Sequence, residues 1–409
     1  MMKTAKSNKF GLLLAGVTIL GITACTEGDK FDYNKEVILI TGTEVNPLVR
    51  FVVEETPATY TVTASATGKV TEDITVGFAQ DNAKVDAYNN EHGTRYYPVP
   101  ENTVAIDGTE GIIRAGSASS TGINVRITST DDLIDGRTYI IPVSIIHVSG
   151  GNLDVLPSSR TIFLRLARVS SFYSLDMNNT DLYSNYIFPD DKAVNLTRYT
   201  YEVKCYINDW HTTPEQISRL CSFTSKEEQR SNMLRFGENG QAINSLQWVN
   251  PAGSIVSKTR FNTGQWYTIS LTYDGRKLSM YVDGELDSEL MGSGECTFQR
   301  FELGMSWANY PRMQYFNGRI AETRVWKRNL TPGEIKLGLC GVDPTADDLV
   351  AYWKFNETEG HIFHDATGNG YDMDWSQTVR DNTGNGTLNP FDKRHAVSWL
   401  MDDKNKCTQ

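Results

Sequence analysis

The stretch Glu285-Leu286-Asp287-Ser288-Glu289 sets three carboxylates at every second position. A strand of period two would place them on one face. Two carboxyls about 5–5.5 Å apart can cleave a glycosidic bond with retention, one as nucleophile and one as acid and base. A different chemistry lies in Ser306-Trp307-Ala308-Asn309-Tyr310-Pro311-Arg312, between two strand-like runs. Indole and phenol rings cover the apolar CH faces of a sugar, while Asn309 and Arg312 answer its hydroxyls. Trp210, beside Asn208, Asp209 and His211, and Trp248, beside Asn250, repeat that pattern more sparsely. The alternative for each ring is a place in the core. Trp266, Trp326 and Trp353 sit inside strand motifs and are expected there. A third chemistry is metal binding. Asp-x-Thr-Gly-Asn-Gly occurs at Asp365 to Gly370 and at Asp381 to Gly386, so Asp365, Asn369, Asp381 and Asn385 offer oxygens around a Gly turn. Calcium is the cofactor such ligands would take. Neither copy has flanking helices or a terminal Glu, so Asx turns are expected. The six histidines are scattered, and nucleophile elbow, paired-His zinc helix and phosphate loop are all missing from the sequence.

Strands must position these groups. From about Val37 to Val169 apolar residues alternate with polar ones, as in Tyr60-Val62-Ala64, Ile74-Val76-Phe78, Ile123-Val125-Ile127 and Ile162-Leu164-Leu166. That alternation marks strands with one buried face. Clusters such as Asp107-Gly108, Asp135-Gly136 and Gly150-Gly151-Asn152 separate them. One short helix is predicted over Asn82 to Asn90, with Val85 and Tyr88 on one side and Gly93 as the stop. From about Phe172 aromatics become denser. Gln265 to Gly275 runs into Leu278 to Gly284, and each run closes on Asp-Gly, a tight hairpin turn. Thr331-Pro332-Gly333-Glu334 predicts a capped helix start with a capping box.

Two resemblances attach to these residues. Val85 to Asn89, Tyr97 to Pro100, Ile112 to Gly116 and Tyr139 to Ile145 resemble the uncharacterised β-sandwich that precedes glycosidase or lectin-like modules in Bacteroidota surface lipoproteins. That resemblance implies a spacer or docking piece. The ordered series from Trp266 through Gly284, Phe316 to Trp326 and Asn329 to Ile335 resembles the concanavalin A-like, laminin-G type jelly roll over Phe172 to Gly341. Leu349 to Glu357 with Asp365 to Gly370 normally opens such a domain and here closes it. The remaining residues are too few for a separate core, so these strands are expected to complete the same sandwich. The jelly roll also houses glucanases, but in its lectin-like form the strand after Tyr281-Val282-Asp283-Gly284 faces solvent. The glucanase motif further wants an apolar spacer where Ser288 stands. The expectation is that the protein is no enzyme.

Lys3, Lys6 and Lys9 precede an apolar stretch, Phe10 to Ala24, which is too short to span a bilayer and reads as a signal peptide. It ends Leu20-Gly21-Ile22-Thr23-Ala24-Cys25, which resembles the bacterial lipoprotein box and implies acylation of Cys25. The acidic stretch after it, Thr26 to Asp29, resembles the signal that sends Bacteroidota lipoproteins to the outer face of the outer membrane. Net charge is −11, and removing the signal peptide, with three lysines and no acid, takes it to −14. Such a field argues against nucleic acid and against anionic polysaccharide as the main ligand. Besides Cys25 there are five cysteines, an odd number, and their spacing shows no zinc pattern. Cys205 is expected as a buried thiol.

The fold class expected is all-β: an N-terminal Ig-like β-sandwich followed by a concanavalin A-like jelly-roll sandwich. The organisation is signal peptide 1–24, lipid-anchored linker 25–35, first sandwich 36–169 and second 170–409. The resemblances imply a non-catalytic lipoprotein that captures glycan beside a TonB-dependent outer-membrane transporter and its lidding lipoprotein. The alternatives are a structural or peptide-binding subunit of that importer and, third, a jelly-roll glycosidase.

Overall fold

The computed structural model describes residues 36–177, 184–210, 217–227, 231–238, 240–304, 314–375 and 398–408. Alternating apolar residues build two β-sandwiches in succession. In the first, two three-stranded sheets, including Val37–Ile40 and Ile123–Ile127, face part of a much larger sheet. The core between them is aliphatic, with Ile38, Ile74, Ile113, Ile123, Ile141 and Leu164 all sealed from solvent. Outside this sheet lies the helix Lys84–His92, which buries Val85 and Tyr88 and ends at Gly93 in the left-handed conformation (φ 63°). It begins two residues later and ends two residues later than the sequence suggests.

The large sheet does not stop with the first sandwich. Its strand Thr161–Asp176 is 16 residues long and serves both. Through Arg168 it pairs with Tyr139–Ser149 on one side and, in parallel, with Leu48–Val53 on the other. From Val169 onward it pairs with the last strand, Ser398–Thr408, and near its end with Gly318–Trp326. The 13 strands of this sheet therefore run through both halves of the molecule.

In the second sandwich a six-stranded sheet faces the continuation of the large one. Between them lies an aromatic core. Tyr201, Phe223, Phe301 and Trp353 form a near-parallel column, with successive centroids 4.4, 5.0 and 4.9 Å apart. Trp353 ends the strand Leu349–Trp353, which pairs with Gly318–Trp326, so this late segment belongs to the same core. Cys205 is buried here as a free thiol, whereas Cys340 is disulfide-bonded. Asp283 and Gly284 both take positive φ (49° and 80°), the two-residue hairpin turn their types favour. Thr331 and Glu334 make the reciprocal capping box that starts the helix Pro332–Leu337.

The two sandwiches also meet side by side. Arg137 Nε donates to Asp343 Oδ2 at 2.8 Å, and the Tyr97 hydroxyl donates to the same oxygen at 2.8 Å. Asp135 takes Lys354 at 3.2 Å as well as Arg168. Gly136 has φ 81°, and a Cβ there would fall 1.9 Å from the carbonyl carbon of Val342. Only glycine permits both that conformation and that approach. Among the described residues no helix is long and apolar enough to cross a membrane.

Candidate functional site

In the six-stranded sheet the residues between core positions are strongly polar. Leu234 and Phe236 enter the core and Arg235 points the other way; Leu246 and Trp248 alternate with Gln247. Phe301 and Leu303 likewise alternate with Arg300 and Glu302. Strand register then sets these groups in rows across the outer face. Arg219 lies opposite Arg235 and Arg235 opposite Gln247, while Asn185, Glu302 and Ser222 form a second row.

The rows are tied together. Arg235 Nε donates to Gln247 Oε1 at 2.9 Å, and its Nη1 lies 3.2 Å from Glu238 Oε2. Arg219 Nε donates to Gln314 Oε1 at 2.6 Å, with Glu238 3.6 Å from its Nη2. The Ser222 hydroxyl donates to Glu302. Arg219, Arg300, Glu302, Ser222 and Asn185 are buried, while Arg235 and Glu238 keep part of their surface open. Burial pulls the Arg300 guanidinium down from its usual value, and the nearby Glu302 and Glu227 oppose that pull. The result is a rigid array of planar donors and acceptors, largely sealed, from which Arg235 and Glu238 keep partial access to solvent. Such forked groups suit vicinal hydroxyls or a carboxylate.

Trp307, Asn309, Tyr310 and Arg312 lie outside the described residues, as do Asp381, Asn385 and Cys25. The described residues flanking the first of these stretches belong to this array. Gly304 N donates to Leu220 O, and Arg219 N donates to Gln314 O. Trp248 corrects the sequence reading. It is fully buried in the aromatic core, and its Nε1 donates to Asn232 Oδ1 at 3.1 Å, so no ligand reaches it. Trp210 packs edge-on against Phe236 with centroids 5.1 Å apart, leaving only part of its ring open.

At Asp365 the structure shows the Asx turn that the sequence suggests, with Thr367 N donating to Asp365 Oδ1 at 3.1 Å. Its carboxylate accepts from the amides of Tyr352, Thr367 and Tyr371 and from the Thr367 hydroxyl. Those bonds consume its lone pairs in a turn, and Asn369 Nδ2 donates to the carbonyls of Leu349 and Val350. No cluster of three or more His, Cys, Asp or Glu that could hold a metal occurs among the described residues.

The acidic triplet is scattered by a bulge. Glu289 pairs opposite Ser279 and Ser288 opposite Met280, but Tyr281 then faces Leu286 and Val282 faces Glu285. Asp287 is the extra residue, so Glu285 and Glu289 no longer share a face. Each acid also has a local partner. Glu285 pairs with Lys336 at 2.7 Å, and Glu289 with Lys277 at 2.5 Å. Asp287 accepts from the amides of Lys258 and Thr259, both at 2.8 Å. Burial pushes the Asp287 carboxyl up, but the Ser288 hydroxyl and these amides outweigh it and hold it below its usual value. It is an ionised structural acceptor and not a proton donor.

A second acidic pair lies on the other face of the large sheet. Arg324 joins Glu202 (3.2 Å) to Glu322 (2.7 Å), and Trp326 Nε1 donates to Glu202 at 2.9 Å. Glu202 and Arg324 are buried, and Trp326 packs there with Leu330 and Ile335, the last of these in the short helix. That geometry leaves no room for a substrate between the carboxylates.

Comparison with known proteins follows the same division. Residues 33–152 match a family of N-terminal domains. Residues 180–336 match the concanavalin A-like lectin/glucanases superfamily. The second sandwich is a concanavalin A-like domain. No curated protein resembles the chain closely enough to count as a match. Among solved structures, a proposed carbohydrate-binding protein from Bacteroides ovatus overlays 91% of this chain and 97% of its own, with TM-score 0.61 and 18% identity. It shares the succession of two sandwiches. The Bacteroides thetaiotamicron EndoBT-3987 with Man5GlcNAc product covers 32% of this chain and 30% of its own, at 21% identity and TM-score 0.25. A Trypanosoma rangeli sialidase covers 36% and 24%, at 16% identity and TM-score 0.29. These last two overlays are too partial to carry an argument. In the concanavalin A-like domain the outer face of the six-stranded sheet, with Arg219, Arg235, Gln247 and Glu302, went unread in the sequence. The signal was there in Leu234-Arg235-Phe236 and Arg300-Phe301-Glu302-Leu303, where charge alternates with core residues.

Proposed function

We propose that this protein is a non-catalytic, lipid-anchored glycan-binding protein of the outer membrane, facing the cell exterior. The observation that carries this reading is the outer face just described. A row of guanidinium, amide and carboxylate groups is held in fixed geometry there, while the acids nearest a hydrolytic motif are each consumed by a local partner. Preformed hydrogen-bonding arrays bind without an ordering cost, which suits capture. The likeness to the proposed Bacteroides ovatus carbohydrate-binding protein supports the same reading. The sequence at Cys25 supports an acyl anchor, and the first sandwich then serves as a spacer. The partners are a TonB-dependent importer and its lidding lipoprotein, for which local capture raises the glycan concentration.

A glycan array on the mature protein tests this. Binding to a defined set of neutral glycans is expected, lost in Arg235→Ala and Gln247→Ala and weakened in Trp307→Ala. Release of reducing ends from a bound glycan, abolished in Glu285→Gln, would instead restore the glycosidase. Lipid labelling of native cells, absent in Cys25→Ala, checks the anchor.

A further inference from the structure

The cleft where the two sandwiches meet encloses about 450 Å³. The first sandwich contributes the turn after its helix, with Arg95 and Tyr96, and Arg165 from the shared strand. The concanavalin A-like domain contributes Arg328, Leu337 and the wall from Gly341 to Asp343. The charges here divide unevenly. Both carboxylates lining the cleft are taken, Glu334 by Arg328 and the helix cap, Asp343 by Arg137, Tyr97 and Thr345. Arg95 and Arg165 have no side-chain hydrogen bond or ion pair among the described residues. Arg50 stands directly opposite Arg165 in the parallel register, and it too is unpaired among them. Like charges facing each other across two strands cost stability. In a chain of net charge −11, three unneutralised guanidiniums at one junction call for an anion. Beside them lies apolar surface: a half-buried Tyr96 and Leu337, which is 78% exposed.

We infer that this cleft is a second binding site and that it takes a uronic-acid-bearing saccharide. The carboxylate would be forked by Arg95 and Arg165, and the sugar's CH face would lie against Tyr96 and Leu337. The volume is that of a small-ligand pocket, whereas a folded protein partner would need about 800 Å² of surface on each side. The inference is independent of the outer face of the six-stranded sheet and stands whether or not that face binds glycan.

Titration calorimetry on the mature protein tests it, with a trigalacturonate as probe and a neutral galactotriose, inorganic phosphate and a short polyglutamate peptide as comparisons. Trigalacturonate is expected to bind alone of the four, and more weakly as salt rises. Arg95→Gln, at an exposed turn where folding is unaffected, should weaken it about tenfold, and Arg165→Gln by a similar factor. Equal binding of the neutral sugar, phosphate or peptide would overturn the inference. So would no binding at all, or unchanged affinity in Arg95→Gln.

Discussion

The two sandwiches share one sheet and solve the problem of burial differently. The first fills its core with Ile, Val and Leu and leaves its ion pairs, such as Arg126 with Asp107, at the surface. The second fills its core with stacked rings and buries charge on both outer faces: Arg324 with two glutamates on one, Arg219, Arg300 and Glu302 on the other. A buried charge is stable only when its partners are fixed, so it imposes geometry more than it adds stability. The aliphatic module is therefore built to hold, and the aromatic one to present groups in set positions.

That contrast can be broken by substitution. The largest effect is expected from Arg324→Ala, which strands Glu202 and Glu322 without a cation and should cost about 3–5 kcal/mol in denaturant unfolding. An unchanged midpoint would mean the buried charges are idle. Trp248→Ala should cost a similar amount, about 3–5 kcal/mol, because it empties a core site. A ring that merely met ligand would leave stability alone. At the junction the effect is smaller. Burial pushes the Asp343 carboxyl up, but Thr345, Arg137 and Tyr97 outweigh that and hold it at about 2, against an ordinary 3.8. The folded value is depressed, so the tie is complete above 3.8 and is lost as pH falls towards about 2. Asp343→Asn should lower stability by about 1 kcal/mol at neutral pH and flatten the loss on acidification between pH 4 and about 2, read by thermal unfolding. Smallest of all, Arg126→Ala in the first sandwich should leave the unfolding temperature unmoved.

Much of this architecture is legible in the residues. Period-two alternation marks the strands of both modules, and Asp283-Gly284 and Thr331-Pro332-Gly333-Glu334 adopt the turn and cap their types favour. These are local signals, fixed by neighbours in the chain. What escapes is set by pairing between distant strands. The bulge at Asp287 depends on the register against Lys277–Val282 and reverses which carboxylates share a face. Trp248 sits beside Asn250, the spacing of a sugar-stacking ring, yet Asn232, 16 positions away, claims its N–H in the core. The polar rows of the outer face exist only once five strands are aligned. The alternation within each strand hinted at them, but the rows themselves are a tertiary fact.

The strand Thr161–Asp176 spans roughly 50 Å at about 3.3 Å per residue, and its pairing is irregular only at a bulge between Ser170 and Phe172, where it faces the last strand. A pull applied at opposite ends of the molecule would load its flanking hydrogen bonds in shear, across both modules at once, instead of first taking up slack in a tether. The two modules are thus mechanically coupled through one shared strand. Cutting the chain anywhere along that strand would leave each half with a raw, unpaired edge.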